Sequence, residues 1–151
     1  MLVTLRKMAT VGLVAFLAVI AGTATASAVQ QTRIQNWQTL RCMDDSDFAF
    51  RTNLCNHSEH QQWIITRLGD GTYKFQNYST GRCMEDTDLA FRTTPCDDNS
   101  VAQKWWVIDN STVVGGKFLD NVLTHRFVDD SDFAFRTNTF NGSMFQTFFY
   151  E

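Results

Sequence analysis

The eight residues Asp-Ser-Asp-Phe-Ala-Phe-Arg-Thr at positions 45–52 occur three times in this chain, with small changes. They return as DTDLAFRT at 86–93 and as DSDFAFRT at 130–137, so the starts lie 41 and 44 residues apart. A phrase that recurs at a period of about 20–50 residues indicates one structural unit copied several times. We therefore expect three equivalent units that share one core.

The similarity extends on both sides of this phrase. Upstream, the first two copies share a similar stretch and the third shares a weaker one: IQNWQTLRC at 34–42, FQNYSTGRC at 75–83 and LDNVLTHRF at 119–127. Downstream, each copy closes on glutamine, any residue and an aromatic residue, at 61–63, 103–105 and 146–148. We expect Trp63, Trp105 and Phe148 to lie in equivalent core positions. The adjoining glutamines either contact ligand or belong to the scaffold.

The local pattern predicts β-strands throughout. Short runs rich in aromatic and β-branched residues occur at 48–52, 62–67, 72–76 and 105–108, and the sequence Leu-Gly-Asp-Gly at 68–71 predicts a hairpin turn. No helical periodicity follows residue 28. We therefore predict an all-β fold with internal threefold pseudo-symmetry.

The cysteines support the repeat. Cys42 and Cys55 lie 13 residues apart, and so do Cys83 and Cys96. The third copy has phenylalanine at both equivalent positions, 127 and 140. Because both members of the pair change together, we predict the disulfides Cys42–Cys55 and Cys83–Cys96. A zinc site is the alternative, although the spacing lacks the paired C-x-x-C that is typical of such sites.

The first 28 residues have the features of a secretory signal peptide. Arg6 and Lys7 precede an apolar run at 8–20, and Ala-Ser-Ala at 26–28 resembles a cleavage site. A membrane anchor is the alternative, but the apolar run is shorter than the roughly 20 residues that span a bilayer. We expect a secreted domain at residues 29–151 that allows disulfides to form.

Charge and motifs exclude several classes of function. Removing Arg6 and Lys7 with the signal peptide lowers the net charge from −3 to −5. A domain with this charge and no basic stripe is unsuited to nucleic acid or anionic membranes. No G-x-S-x-G, P-loop or H-E-x-x-H motif is present. We expect a monomeric, non-enzymatic protein without membrane insertion, cofactor or metal.

The three copies, the cysteine pairs and the triple Q-x-aromatic closing resemble the ricin B-type β-trefoil lectins. The nearer resemblance is to the actinohivin-type three-repeat lectins of actinomycetes, on QNYSTGRCMED at 76–86 and on Pro-Cys at 95–96 followed by Gln-Lys-Trp at 103–105. This resemblance implies a β-trefoil and a shallow sugar pocket in each unit. Carboxylate and amide groups suit such pockets because they form paired hydrogen bonds with vicinal hydroxyls.

The resemblance places carbohydrate-binding residues at two positions of each unit. An acid follows the first cysteine position, and a polar residue follows the second. These are Asp44 with Asn56, Glu85 with Asp97, and Asp129 with Asn141. The second unit departs at both positions, so we expect a different ligand there, or none.

The stacking aromatic of such pockets is missing from its usual places. Asn53, Thr94 and Asn138 occupy one of them, and arginines occupy the other: Arg51, Arg92 and Arg136. These arginines either contact a ligand such as an acidic sugar or form ion pairs with aspartates of their own unit, such as Asp45 or Asp47. Alternation along the strand places Phe50 in the core. The acids at 44, 45 and 47 are pocket and turn residues, with a Ca²⁺ site as the alternative.

Two other functions remain open at this point. A trefoil can bind protein through one unrepeated loop, as protease inhibitors do, and residues 110–117 are the candidate loop. A trefoil can also be purely structural. Sugar binding would place its functional residues at repeated positions, which distinguishes it from inhibition through a single loop.

Overall fold

The computed structural model describes residues 30–131 and 134–151, so the predicted signal peptide lies outside the described residues. Each unit contributes four strands. The first contains β1 (Ile34–Asn36), β2 (Arg41–Asp45), β3 (Phe50–Leu54) and β4 (Trp63–Arg67). The second contains β5 (Tyr73–Asn77), β6 (Arg82–Asp86), β7 (Phe91–Pro95) and β8 (Trp105–Asp109). The third contains β9 (Lys117–Asn121), β10 (Phe127–Ser131), β11 (Ala134–Asn138) and β12 (Phe148–Tyr150).

Six of the strands form a closed antiparallel barrel. β4 pairs with β5, β8 with β9 and β12 with β1 over three to five residues each. Shorter contacts join β5 to β8, β9 to β12, and Thr32 to Trp63 at the start of β4. The other six strands form the hairpins β2–β3, β6–β7 and β10–β11.

The three hairpins meet around a pseudo-threefold axis. Phe50, Phe91 and Phe135, one from each hairpin, make mutual edge contacts with ring centroids 4.9–5.1 Å apart. Each ring also packs against the buried core, as expected for Phe50. A six-stranded barrel with three hairpins around one axis is a β-trefoil, which confirms the threefold all-β fold predicted from the repeat and the β-trefoil implied by the resemblance.

The closing aromatic of each unit lies in the core. Trp63, Trp105 and Phe148 are completely buried at equivalent positions, which confirms the prediction. Each tryptophan also satisfies its ring N–H, because Nε1 donates to a backbone carbonyl, that of Met43 at 3.2 Å and that of Met84 at 3.1 Å. The aromatic residue of Q-x-aromatic is therefore a scaffold element.

A buried carboxylate links each unit to the next. The Asp45 side chain is fully buried and accepts hydrogen bonds from Arg82 at 2.8 and 3.1 Å, from Thr80 at 2.5 Å and from Thr93 at 2.7 Å. The equivalent contacts run from Asp86 to Arg126, Thr124 and Thr137, and from Asp130 to Arg41, Thr39 and Thr52. The arginine that pairs with Asp45 thus comes from the next unit, whereas the ion-pair interpretation of Arg51 placed that partner in the same unit.

The start of β3 differs from the prediction of a strand at 48–52. Residues 46–49 form a tight turn in which the Ser46 amide donates to the Ala49 carbonyl at 3.2 Å, and the strand begins at Phe50. The Ser46 hydroxyl also donates to the Ala49 carbonyl at 3.4 Å, and such side-chain bonds to nearby backbone are why serine favours turns. Phe48 consequently lies outside the strand and is 92% exposed.

Candidate functional site

Two disulfides hold the loops that begin at Asn56 and Asp97. Cys42 bonds Cys55 and Cys83 bonds Cys96, which confirms both predicted links and leaves no cysteine for a zinc site. The Cα atoms of each pair are 5.0 Å apart. Residues 56 and 97 follow these bonds directly, so their positions relative to β2 and β6 are fixed by covalent geometry.

Aromatic packing replaces the disulfide in the third unit. The rings of Phe127 and Phe140 lie 4.8 Å apart, and Phe118 packs against both of them at 6.4 and 5.1 Å. The loop that carries Asn141 is therefore held by apolar contacts. This explains how two cysteines change together without loss of the local arrangement.

The predicted acids occupy the same place in each unit. Asp44, Glu85 and Asp129 lie on β2, β6 and β10, and they are 6%, 9% and 2% exposed. Each is directly opposite an arginine of the neighbouring strand, and the pairs are Asp44–Arg51, Glu85–Arg92 and Asp129–Arg136. The strand register thus brings together the two sets of residues that the sequence singles out.

In the first unit a buried glutamine connects the two pocket positions. Gln61 is fully buried, its Nε2 donates to the Asp44 carboxylate at 3.1 Å and to the Leu54 carbonyl at 3.0 Å, and its Oε1 accepts from the Asn56 amide at 2.8 Å. One carboxylate oxygen of Asp44 therefore has a fixed partner. The glutamine of Q-x-aromatic therefore links Asp44 to the backbone of Asn56 from the buried side.

The second unit has the same glutamine contact, but its acid accepts more hydrogen bonds from the protein. Glu85 accepts from Arg92 at 3.1 and 3.2 Å, from Thr94 at 3.1 Å and from Gln103 at 3.4 Å. Both carboxylate oxygens have protein partners, and an ion pair neutralises the charge. This unit differs from the other two at both positions, with glutamate in place of aspartate and Asp97 in place of asparagine. The Glu85 carboxylate also has fewer lone pairs free to bond a ligand.

The third unit shows a third arrangement. Gln146 accepts from the Asn141 amide at 3.0 Å and donates to the Thr139 carbonyl at 2.9 Å. Within the described residues, Asp129 accepts from the Ser131 amide at 3.1 Å. The Asp129 carboxylate is thus oriented by the Ser131 amide at the end of β10, whereas a glutamine orients Asp44.

The polar residues that follow the second cysteine position also have a structural role. Asn56, Asp97 and Asn141 are exposed, and the Oδ1 atom of each accepts the backbone amide two residues later at 2.8–2.9 Å. This bond closes an Asx turn, in which the side chain mimics a backbone turn. The remaining side-chain atoms of Asn56 and Asn141 face solvent at the loop.

Arg51 and Arg136 differ from Arg92. All three are exposed, but only Arg92 forms an ion pair with the opposite acid among the residues that the structure describes. The interpretation of these arginines as structural partners therefore applies to Arg92, although with Glu85 and not with a residue of the D-[ST]-D phrase. Arg51 and Arg136 stay candidate ligand contacts.

One cleft at the junction of the first two units was missed by the sequence analysis. It has a volume of about 210 Å³ and is lined by the turn at 46–49 and by Phe50, Arg82, Arg92 and Thr93. The exposed ring of Phe48 forms part of its wall. Its signal in the sequence is Phe48, the first aromatic residue of the repeated phrase. Strand alternation over 48–52 puts Phe48 on the same face as Phe50.

The loop at 110–117, predicted as the alternative binding loop, is anchored to the third unit. Asn110 is 7% exposed, and its Nδ2 donates to the Thr147 hydroxyl at 2.9 Å. A Cβ atom at Gly116 would lie 2.7 Å from the Thr147 methyl group, so the close approach requires glycine. Val114, at the tip, is fully exposed.

Shifted pKa values occur around the barrel. The pKa of Asp70 lies well below its usual range because Lys104 and Thr72 donate to its carboxylate, and the pKa of Asp98 is lowered by Lys74. Burial raises the pKa of Asp120 and that of Tyr150. Ion pairing and desolvation at the scaffold account for these shifts.

Across 30–131 and 134–151, no group of three or more histidine, cysteine, aspartate or glutamate side chains is placed to hold a metal ion. The aspartate cluster at 44–47 instead divides its tasks, because Asp44 faces Gln61 and Asp45 faces Arg82. In the same ranges, no helix has the length and apolar character to cross a membrane.

Comparison with known proteins identifies the class of domain. A family model described as the ricin-type β-trefoil lectin domain matches residues 30–148. No curated protein matches the sequence. Among solved structures, the fold is similar to the designed threefold-symmetric protein ThreeFoil, with a TM-score of 0.69 and 14% identity over 80% of this chain and 96% of that one.

Two natural proteins show the same fold. The ricin B-like lectin of Macrolepiota procera, solved in complex with lactose, has a TM-score of 0.64 and 16% identity over 84% of this chain and 98% of that one. The GlcNAcα1-4Gal-releasing endo-β-galactosidase of Clostridium perfringens has a TM-score of 0.71 and 12% identity over 80% of this chain. The match covers 31% of that enzyme, so the trefoil also occurs within larger chains.

Proposed function

Because the chain belongs to the ricin-type β-trefoil lectin domain family, we propose that it is a secreted, non-enzymatic carbohydrate-binding protein. Its family and fold favour sugar binding as the function class. The repeat of acid and polar positions in all three units favours it over inhibition through one loop, because a single-loop function gives no reason for the repetition. The resemblance to the actinohivin-type three-repeat lectins belongs to the same proposal and is supported by QNYSTGRCMED at 76–86.

The arrangement of Asp44, Gln61 and Asn56 is the observation that carries the proposal. One glutamine holds the carboxylate of the acid at 3.1 Å and the backbone of the exposed asparagine at 2.8 Å. Gln61 thereby links a carboxylate acceptor to the backbone of a residue whose side-chain amide is exposed, and such a pair suits two neighbouring hydroxyls of a pyranose. We propose Asp44 with Asn56, and Asp129 with Asn141, as the pockets that bind sugar.

The second unit takes a smaller part in this function. Glu85 and Asp97 present two acids, and Glu85 is already neutralised by Arg92 at 3.1 Å. A ligand would have to displace that ion pair to use the Glu85 carboxylate. We propose that this unit binds a different sugar or none, and that Arg51 and Arg136 contribute donors at the rims of the other two pockets.

Secretion and a monomeric state complete the proposal. The basic and apolar pattern of residues 1–28 supports export, and the two disulfides are compatible with an oxidising compartment. Several weak pockets on one monomer would raise avidity toward a repeating glycan without any new contact.

A glycan array of the secreted chain tests the function, and calorimetry with the best ligand tests the pockets. Asp129→Ala and Asn141→Ala should each weaken binding by about 1–3 kcal/mol, because each removes a hydrogen-bonding partner of a sugar hydroxyl. Asp97→Ala, at the equivalent position of the second unit, is the matched control and should leave the affinity unchanged. Thermal unfolding of each variant separates lost binding from lost folding.

Two results would count against the proposal. Absence of any array signal from the folded chain would refute sugar binding as its function. Unchanged affinity in both third-unit variants would remove that pocket, and the sugar would then have to bind elsewhere on the trefoil.

A further inference from the structure

The turn before β3 exposes an aromatic ring that the scaffold does not use. Phe48 is 92% exposed, and Leu89, at the same place in the second unit, is 94% exposed. Both turns are closed by backbone bonds, from Ser46 to Ala49 at 3.2 Å and from Thr87 to Ala90 at 3.0 Å. The turn therefore does not depend on the apolar side chain at its tip, and packing gives no reason for a phenylalanine there.

The Phe48 ring stands at the wall of the cleft between the first and second units. Arg82, Arg92 and Thr93 of the second unit also line the cleft, and its volume is about 210 Å³. Phe50 is a further lining residue, and its ring packs against Phe91 at 4.9 Å. The cleft is thus lined by side chains from two units.

The polar groups of the cleft include both acceptors and donors. Asp47 is exposed beside Phe48 and provides carboxylate acceptors. Arg92 uses Nε and Nη2 toward Glu85 at 3.2 and 3.1 Å, which leaves the N–H groups of Nη1 for a ligand. Arg82 is directed toward Asp45 and the Ser46 carbonyl.

The charge balance selects the class of ligand. The two arginines of the cleft are paired with Asp45 and Glu85, so Asp47 leaves one negative charge. An anionic ligand such as an acidic sugar would meet repulsion here. A neutral pyranose fits, because its apolar C–H face can stack on an aromatic ring while its hydroxyls bond both a carboxylate and a guanidinium.

We propose that the cleft between the first and second units is a separate binding site for a neutral hexopyranose, which stacks on Phe48. The site supplies at the unit junction the aromatic surface that is missing beside Asp44 and Asn56. It rests on the proposed function, since the ligand is a sugar, but it uses different residues. Asp47 and Arg92 bond the hydroxyls, and Phe48 is the stacking residue.

The second and third units provide a matched control. Their junction carries Leu89 where the first junction carries Phe48, together with Arg126 and Arg136 at the places of Arg82 and Arg92. Phe48→Leu therefore makes the first junction resemble the second while keeping an apolar side chain. Because Phe48 is exposed and its turn is closed by the backbone, Phe48→Leu and Phe48→Ala should fold like the parent.

The test uses the secreted chain, labelled with ¹⁵N, and the methyl glycosides of galactose, glucose, mannose and N-acetylglucosamine as probes. We expect one of these neutral sugars to shift the amide resonances of residues 46–50 and 92–93. Phe48→Leu and Phe48→Ala should each weaken its binding about 3–10-fold, the range expected for loss of an aromatic contact. Leu89→Ala should have no effect.

The outcomes separate this site from the pockets proposed above. If a sugar binds and Phe48→Leu leaves its affinity unchanged, the junction site is wrong, and sensitivity to Asp129→Ala would still support the pockets. If Phe48→Leu weakens binding and Asp129→Ala does not, the junction site stands alone. Absence of binding by any probe and on the glycan array would refute both. Phe48-dependent sedimentation with phosphatidylcholine vesicles, without sugar-induced shifts, would show that the ring contacts lipid and would overturn the proposal.

Discussion

Replacing Asp45 with asparagine should destabilise the trefoil by about 3 kcal/mol. The carboxylate is fully buried and accepts four hydrogen bonds, two from Arg82, one from Thr80 and one from Thr93. Removal of one partner of a buried ion pair typically costs about 3–5 kcal/mol, because the other charge loses its compensation. The Arg82 side chain is 33% exposed, so water compensates part of its charge and the lower end of this range applies.

Equilibrium unfolding in guanidinium chloride measures this loss, and three controls define its cause. Asp86→Asn breaks the equivalent contact between the second and third units and should cost a similar amount. Asp47→Asn alters an exposed aspartate in the same turn and should change stability by less than about 0.5 kcal/mol. A double-mutant cycle with Arg82→Gln should give a coupling energy above about 1 kcal/mol.

Two results would contradict the expected effect of Asp45→Asn. A loss below about 1 kcal/mol for Asp45→Asn would place it within the range of exposed ion pairs. Additive effects of Asp45→Asn and Arg82→Gln would mean that the two side chains act independently. Either result would show that the contact between units does not hold them together.

Three further predictions concern the stability of the scaffold. Cysteines in place of both Phe127 and Phe140 should form a third disulfide, since the equivalent pairs have Cα atoms 5.0 Å apart. The bond should stabilise the fold by about 2–4 kcal/mol, but the loss of ring packing costs a similar amount. Thiol titration should therefore show the bond, while denaturation shows no higher stability. Leu40→Gly should stabilise the fold by about 0.5–1 kcal/mol, because Leu40 has φ 58° where the second unit has Gly81 at φ 68°, and Gly81→Leu should do the opposite in thermal unfolding. Burial raises the pKa of Asp120, so its charged form weakens the fold as pH rises through that pKa. Asp120→Asn should therefore raise the unfolding temperature at neutral pH and leave it unchanged at acidic pH. Calorimetry across pH checks this, and an equal gain at both pH values would contradict it.

The repeat was sufficient to predict the fold, the disulfides and the buried aromatics. Each of these depends on residues that recur at fixed spacing, so an error in one unit would conflict with the other two. The exchange of Cys42 and Cys55 for phenylalanines in the third unit identified a contacting pair in the same way. The pairing of Asp45 with Arg82 could not be predicted like this, because a periodic sequence does not specify whether a partner lies in the same unit or in the next.

The candidate pockets were predictable only in part. Sequence position located Asp44 and Asn56, and the structure adds that Gln61 connects them. The engagement of Glu85 by Arg92 depends on strand register, which the local pattern left undetermined. Phe48 was missed because alternation assumes that the strand already includes it, whereas the chain turns until Phe50.

The three buried carboxylate contacts all run in the same direction around the trefoil. Each unit gives an aspartate to the unit after it and receives one from the unit before, and the third contact, from Asp130 to Arg41, returns to the beginning. None of the three interfaces is therefore terminal, and β1 pairs with β12 beside this last contact. A circularly permuted chain, joined across β12 and β1 and opened between two other units, would retain every carboxylate contact. The contacts between units therefore do not depend on which unit comes first in the chain.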